Sequence, residues 1–294
     1  MPGLPADYRD FLSQWNGAFL FHDDYALHGV AGAHPELARL DDRAAASLEA
    51  PLCFGSAPDR TLLFDGRGRV LSRDAETDEV SVEGSTFARW LDATMAREAV
   101  LYDRDGEFRE EAFTGGEVSA VAARKRAQTG VRADPESPAW RAELAELLVE
   151  TGQREQAIDE LVRAVALWPE GAPLWMRLGR LHREAGAPAE AAAAFARSAE
   201  AERDDEEAAF AFASAARAAS EAGLATASAL GARAAGRLPD FAARQRDAAT
   251  HLIGEGDLDG AAERLALAAA VAPDDPSVRA DQQLLRARAR LKTV

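Results

Sequence analysis

Three histidines, His22, His28 and His34, stand six residues apart, and the carboxylate pair Asp23-Asp24 lies beside the first of them. Imidazoles and carboxylates are metal ligands, but a site needs three or four of them converging on one ion at about 2.0–2.2 Å. The local pattern argues against convergence. The histidines fall across a strand, a turn and a helix start, and adjacent carboxylates on a strand point to opposite faces. Unrelated surface or core histidines are the favoured reading, and no metal is expected. Cys53, the single cysteine, excludes an internal disulfide and a cysteine-based zinc site. Set in the apolar run Leu52-Cys53-Phe54, it reads as a small buried hydrophobe and not as a nucleophile.

Other chemistries lack their residues. Asp65-Gly66-Arg67-Gly68 has no Gly-Lys-Ser/Thr ending and sits between two strands, so it is no phosphate cradle. Neither Gly-x-Ser-x-Gly nor His-Glu-x-x-His occurs. Trp15 and Trp90 fall on helical apolar stripes, which favours core positions over a base-stacking platform. Arg124-Lys125-Arg126 is the one tight basic cluster and reads as a solvated helix face. No enzyme, no cofactor and no nucleic-acid site are expected.

The 294 residues suffice for two domains, and their net charge of −16 is unevenly spread. Residues 1–115 hold 22 acidic against 11 basic side chains, leaving 28 against 23 for the rest. Such a front repels nucleic acid and anionic membrane and attracts a basic partner, although acidic surfaces also simply keep proteins soluble. Met1-Pro2-Gly3-Leu4 runs straight into an acidic helix start, so no leader is expected. No run approaches the ~18–20 apolar residues of a membrane span. A cytoplasmic location is the expectation.

The elements that position these residues follow from periodicity. Pro5 opens a helix in which Tyr8, Phe11, Leu12 and Trp15 recur at i, i+3, i+4 and i+7, and Asn16-Gly17 stops it. Phe19-Leu20-Phe21 and Tyr25-Ala26-Leu27-His28-Gly29 are of strand type, and a second helix is predicted from Pro35 to Glu49. Thr61-Leu62-Leu63-Phe64 pairs with Arg69-Val70-Leu71-Ser72 across the Asp-Gly turn, and Val80 and Val82 alternate as in a half-exposed strand. Ser85 or Thr86 caps a third helix with Phe87, Trp90, Leu91 and Met95 as its buried stripe.

The order of Leu4-Pro5-x-Asp7-Tyr8-x-x-Phe11-Leu12, Asn16-Gly17, Gly29, Phe54-Gly55, Leu63-Phe64-Asp65 and Ser85-Thr86-Phe87-x-x-Trp90-Leu91 resembles the SUKH (SMI/KNR-type) superfamily over roughly residues 2–102. The resemblance implies a non-enzymatic binding domain. In bacteria the family often serves as an immunity protein that neutralises a cognate toxin, frequently a nuclease, and other members are scaffolds or regulators.

Beyond Gly115 and Gly116 a helix is predicted over Glu117–Gln128, broken by Thr129-Gly130 and Asp134-Pro135-Glu136-Ser137-Pro138. The remainder repeats. From Trp175 come Leu178-Gly179, Gly186, Ala191 and Phe195, and a shift of 34 residues lays Gly186 on Gly152, Ala191 on Ala157 and Phe195 on Leu161. Pro239 and Pro273 stand the same distance apart. Self-similarity at this period means stacked helix pairs that bury their apolar faces against one another. It resembles the tetratricopeptide repeat. Pairs are expected at 138–170, 172–204, 206–240 and 241–275. The third departs from the period by two residues, carries Ala or Ser at large positions, and is expected to be the weakest. Pro276–Leu291, with Val278, Leu284, Leu285 and Leu291, should cap the stack.

The expected architecture is thus an α+β N-terminal domain, a mixed sheet with helices, over 1–113, then a linker with one helix over 114–137. An all-α solenoid of four helix pairs follows over 138–275, with a cap over 276–294. The repeat resemblance places partner contacts on the first helix of each pair. Those positions are Ala142, Glu146, Val149 and Glu150; Met176, Arg180, Arg183 and Glu184; Phe212, Ala216 and Ser220; and Arg246, Thr250 and Ile253. A Lys/Asn/Arg clamp for a peptide C-terminus is missing, which disfavours chaperone-tail binding. On the front domain the acidic candidates are Asp23, Asp24, Asp41, Asp42, Asp74, Glu76, Asp78 and Glu79. The leading expectation, by resemblance, is an immunity-type protein that occludes a basic toxin. The alternative is a repeat scaffold that holds a peptide segment of another protein.

Overall fold

The computed structural model describes residues 4–21, 24–29 and 52–292, and the chain divides into two units, Met1–Trp168 and Pro169–Val294. The predicted helix over 35–49 lies outside the described residues. In the first unit β1 Ala18–Leu20, β2 Tyr25–Leu27, β3 Leu52–Ala57, β4 Arg60–Phe64, β5 Val70–Asp74 and β6 Val80–Gly84 form one sheet in chain order, antiparallel throughout. The expected hairpin forms with Phe64 opposite Val70 and Leu62 opposite Ser72. Asp65 fixes its turn by accepting from the N–H groups of Arg67 (2.9 Å) and Arg69 (2.8 Å).

Strand alternation gives the sheet two apolar faces. On one, Leu27, Phe54, Leu62, Phe64 and Val70 meet Tyr8 of α1 (Ala6–Gln14) and Phe87 and Trp90 of α2 (Phe87–Glu98). Aromatic rings dominate this core: Phe54 stacks on Phe64 at 4.0 Å, and Tyr8 meets Phe87 edge-on at 4.7 Å. The buried Tyr8 hydroxyl donates to the His28 carbonyl at 2.7 Å, and burial drives its pKa far up, so it stays a donor. On the other face Leu63, Leu71 and Val82 are covered by Trp168.

Two stripe assignments need correction. Trp15 is 69% exposed: α1 ends at Gln14, and the chain leaves the stripe toward Asn16 (φ 50°) and Gly17 (φ 102°). Met95 is 46% exposed, because the buried stripe of α2 runs Phe87, Trp90, Ala93, Thr94, Arg97 and Glu98. Polar residues occupy its last turn for a reason. Arg97 lies over the Trp140 ring at 4.0 Å and pairs with Glu143 at 2.8 Å, while Glu98 pairs with Arg126.

These partners belong to α3 (Ala120–Ala133) and α4 (Pro138–Glu150). The helix expected from Glu117 begins three residues later, at Ala120, because Glu117–Val118 is β8, paired with β7 (Phe113–Thr114). Nor does Gly130 break it. A Cβ there would lie 3.0 Å from Arg97 Cδ and 3.1 Å from Trp140 Cγ, so glycine lets the helices close at a helix-propensity cost of about 1 kcal/mol. Next to it Asp134, fully buried, accepts from the Ser85 N–H (2.7 Å) and hydroxyl (2.8 Å). Ser137 caps α4 through the Trp140 N–H (3.2 Å) and donates to the Glu83 carbonyl at 2.6 Å. Glu83 in turn accepts from the Trp90 indole at 3.1 Å and pairs with Arg60. The pair is completed by α5 (Arg154–Leu167), tied to α4 by Arg141 and Glu160 at 2.6 Å.

The second unit holds α6 (Ala172–Glu184), α7 (Pro188–Ala201), α8 (Asp205–Glu221), α9 (Ala227–Arg237), α10 (Phe241–Glu255), α11 (Leu258–Val271) and α12 (Pro276–Lys292). They form helix pairs of tetratricopeptide-like type, as α4 and α5 do within the first unit. The turns within the pairs contain Gly152, Gly186, Gly223 and Gly256 at φ of 75°, 75°, 67° and 86°, a region open mainly to glycine. Small side chains do not leave α8 thinly held: ten of its residues are buried, mostly alanines in close helix contact. The poorly covered element is α9, where Gly231 and Ala234 are the buried residues. The last pair is turned, because α11 packs on α8 and α9 whereas α10 touches α9 only lightly. α12 closes over α11 with Val278 and Leu285 buried, but Leu284 is 51% exposed.

Replacing Asp134 by alanine leaves the partly buried Ser85 N–H and hydroxyl without their acceptor and should cost about 1–3 kcal/mol. Urea unfolding followed by tryptophan fluorescence tests this; a loss below about 1 kcal/mol would mean the joint is dispensable. In native-state hydrogen exchange, residues 227–237 should exchange well before 205–221, and equal protection would contradict the burial difference.

Candidate functional site

The 34-residue period carries three α6 residues, Met176, Arg180 and Arg183, onto Phe210, Ser214 and Arg217 of α8. All but Arg217 line a groove of about 360 Å³ whose third wall is Asp257, Gly260, Glu263, Arg264 and Leu267 at the start of α11, with Leu252 from α10. Its floor is apolar, formed by Met176, Phe195, Phe210, Leu252 and Leu267. Its rim is charged. Glu263 bridges Arg183 (3.6 Å) and Arg217, and hydrogen bonding from Arg217 holds its carboxyl below the ordinary carboxylate range. Arg264 donates to Gln245 at 3.1 Å. Arg180 is exposed at the rim, where it also borders a smaller hollow of about 200 Å³ shared with Met176, Arg177, Glu202 and Glu207. A surface of this kind can hold an extended chain with an apolar side chain down and a carboxylate against arginine.

Of the residues mapped onto the inner face, Met176, Arg180 and Arg183 are therefore brought together. Phe212 is not available: it is 2% exposed, in a core cluster beneath the Arg233 guanidinium at 4.1 Å. Ala216 is likewise buried, and Ser220 is exposed beyond the groove residues. The misplacement has a clear origin. The extra residues of the third pair lie at the end of α8 and in its turn, so the helix start keeps the strict period and the face falls two residues earlier. That signal was present in the spacing of Phe210, Ser214 and Arg217. Arg246 pairs with Asp281 of α12 at 2.6 Å, Ile253 is buried and Thr250 is exposed on α10. The fourth pair offers α11 to the groove instead. In the first unit Glu146 and Glu150 are exposed on α4, with Val149 partly covered and Ala142 buried.

On the sheet unit, Asp74 turns inward onto its own hairpin, accepting from Glu76 N (2.9 Å), Thr77 N (2.8 Å) and the Thr77 hydroxyl (3.0 Å). Those bonds, the Thr77 backbone one foremost, lower its pKa. Glu76, Asp78 and Glu79 are exposed around it, Asp78 at φ 57° and 3.6 Å from Arg73. Asp24 is exposed; Asp23, Asp41, Asp42, His22 and His34 lie outside the described residues. Burial lowers the pKa of His28. No group of three or more His, Cys, Asp or Glu among the described residues is placed to hold a metal ion. Cys53 is half-buried, its thiol 3.7 Å from the Gly55 carbonyl and its pKa raised by desolvation, which disfavours the reactive thiolate. Within the basic cluster Arg126 is committed to Glu98 and Arg124 donates to Gln153 at 3.0 Å, leaving Lys125 as its exposed member. No helix among the described residues is long and apolar enough to cross a membrane.

No family model matches the chain, and no curated protein matches it. Among solved structures, YrrB, described as a TPR protein with an unusual peptide-binding site, is 19% identical over 56% of this chain and 84% of its own, with a TM-score of 0.37. MamA is 18% identical over 51% of this chain and 86% of its own, with a TM-score of 0.36. A thermophilic TPR protein of Thermus thermophilus, TTC0263, is 18% identical over 56% of this chain and 90% of its own, with a TM-score of 0.33. Likeness at this level decides nothing about what the present chain binds.

The folded state holds Glu263 ionised beside Arg217 and Arg183, so its stabilisation is present above the unfolded carboxylate pKa and is lost as pH falls through the folded value. Glu263→Gln should cost no more than about 1 kcal/mol at pH 7, since its side chain is 53% exposed and the pairs are screened. The difference from the unsubstituted chain should vanish in acid. Thermal melts across that pH range are the measurement, and a pH-independent difference would exclude the ion pairs as its source.

Proposed function

We propose that this chain is a non-enzymatic protein-binding module whose helical array holds an extended peptide segment of a partner. The observation that carries this reading is the groove between α6, α8 and α11, with its apolar floor and Arg180 at the rim. Burying one leucine-sized side chain against Met176, Phe210, Leu252 and Leu267 contributes about 1.5–3 kcal/mol, and a carboxylate on Arg180 adds direction more than affinity. The expected ligand pairs an apolar residue with a nearby Asp or Glu, and the function is that of a scaffold or adaptor.

Fluorescence polarisation against labelled octapeptides with a fixed leucine and a fixed glutamate tests this. Arg180→Glu should weaken the best binder at least about tenfold, and Ser214→Trp, which fills the groove, should abolish binding. Unchanged affinity in both variants would place the ligand elsewhere.

A second reading rests on the sheet unit: its resemblance to the SUKH superfamily and its acidic balance support capture of a basic protein, as an immunity-type protein neutralises a toxin. The observation in its favour is the rigid β5–β6 turn, in which Asp74 is spent on the backbone while Glu76, Asp78 and Glu79 are presented outward.

A further inference from the structure

Three aromatic rings of the first unit form a row. Phe21 stacks on Tyr102 at 6.0 Å with 25° between planes, and Tyr102 stacks on Phe108 at 4.8 Å with 27°. Phe113 supports Phe108 edge-on at 5.3 Å. The row is built and not incidental. Tyr102 and Phe108 are antiparallel bridge partners, and the loop between them is held by the Asp103 carboxylate, which accepts from the N–H groups of Asp105 (2.9 Å) and Glu107 (3.0 Å). Arg109 Nε donates to the Tyr102 carbonyl at 2.6 Å. Phe21 itself sits at φ 55°, a conformation that costs an aromatic residue strain and places its ring on Tyr102.

The outer end of the row is open, with Phe108 58% exposed. In the loop leading to it Asp103, Asp105 and Glu107 are exposed, against Arg104 as the exposed cation of that loop. Asp24 is close enough to Tyr102 to add to the upward pKa shift that burial gives its hydroxyl. An exposed ring carried by a loop rich in carboxylates fits one side chain best. A guanidinium stacks flat on an aromatic face and forks to a carboxylate at the same time, whereas an ammonium is a hydrated point charge.

We propose that this ring row and its acidic collar form a second protein-docking surface, separate from the helical groove, whose occupant is an arginine-bearing segment of a basic protein. The proposal deepens the second functional reading and rests on it. Aromatic and arginine anchors dominate protein interfaces, and the surrounding carboxylates supply steering.

The test uses the full chain and two labelled decapeptides, alternating Arg-Gly and alternating Lys-Gly, in fluorescence polarisation at low salt. The Arg peptide should bind several-fold tighter than the Lys peptide. Phe108→Leu, which keeps apolar bulk without a ring, and Phe108→Ala should each weaken the Arg peptide about fivefold. Asp105→Lys with Glu107→Lys should weaken it more than the triple reversal Glu76→Lys, Asp78→Lys and Glu79→Lys on the other turn. Circular dichroism checks that each variant folds, and Phe108→Leu decides should Phe108→Ala not fold. Equal binding of the two peptides, or equal loss from both charge reversals, would overturn the docking surface while leaving a basic partner in place. Failure of both peptides to bind the unsubstituted chain would overturn the docking surface and the basic partner together.

Discussion

A carboxylate sealed from water must find its donors inside the protein, and Asp134 finds them on the far side of a helix junction. Its two oxygens accept from the N–H and hydroxyl of Ser85, at the end of the sheet, while the nearby Ser137 hydroxyl donates a hydrogen bond to the Glu83 carbonyl. Leaving such a group unmatched costs more than the bond contributes when made, so the loop between α3 and α4 can close in one way only. That closure carries Trp140 under Arg97 and draws α4 onto the sheet. The first helix pair is consequently part of the sheet's own core, and the joint is polar at the centre and aromatic at its border.

Much of this was legible in the sequence, and the gaps have physical causes. The 34-residue period located every helix pair to within a few residues, because glycine at the turn and a large residue opposite the small one are demanded by packing in every copy. Periodicity said less about where an insertion falls: Phe212 was assigned to the inner face, and only the closed structure shows that the extra residues of the third pair come at the end of α8. Composition also misled at Gly130, where the low helix propensity of glycine was outweighed by the close approach of Arg97 and Trp140. Met95 and Trp15 show the converse limit, since hydrophobicity alone does not say on which turn a stripe ends. The orientation of the fourth pair left no trace in the sequence, because α10 and α11 are both amphipathic and either one could have met α8.

The two proposed surfaces draw on different physics. The helical groove has an apolar floor and, of its arginines, Arg183 is held by Glu263, so as proposed it would select by shape and by one directed charge. The ring row on the sheet unit ends in an exposed ring in an acidic loop, so as proposed it would select by cation stacking and by long-range attraction that salt weakens. An array that holds one segment while the sheet unit grips another would bring two proteins onto a single chain.

The turned fourth pair also bears on how such a chain can change in length. In an array whose pairs all face the same way, duplication of the last pair extends the concave wall by two helices. Here the wall ends on α11, and α12 closes over that helix, so a duplicated terminal pair would add mass behind the wall and none along it. The groove is walled by α6, α8 and α11, with Phe195 of α7 and Leu252 of α10 in its floor. Lengthening it requires insertion ahead of the fourth pair, which makes the terminal pair a fixed end stop of the groove.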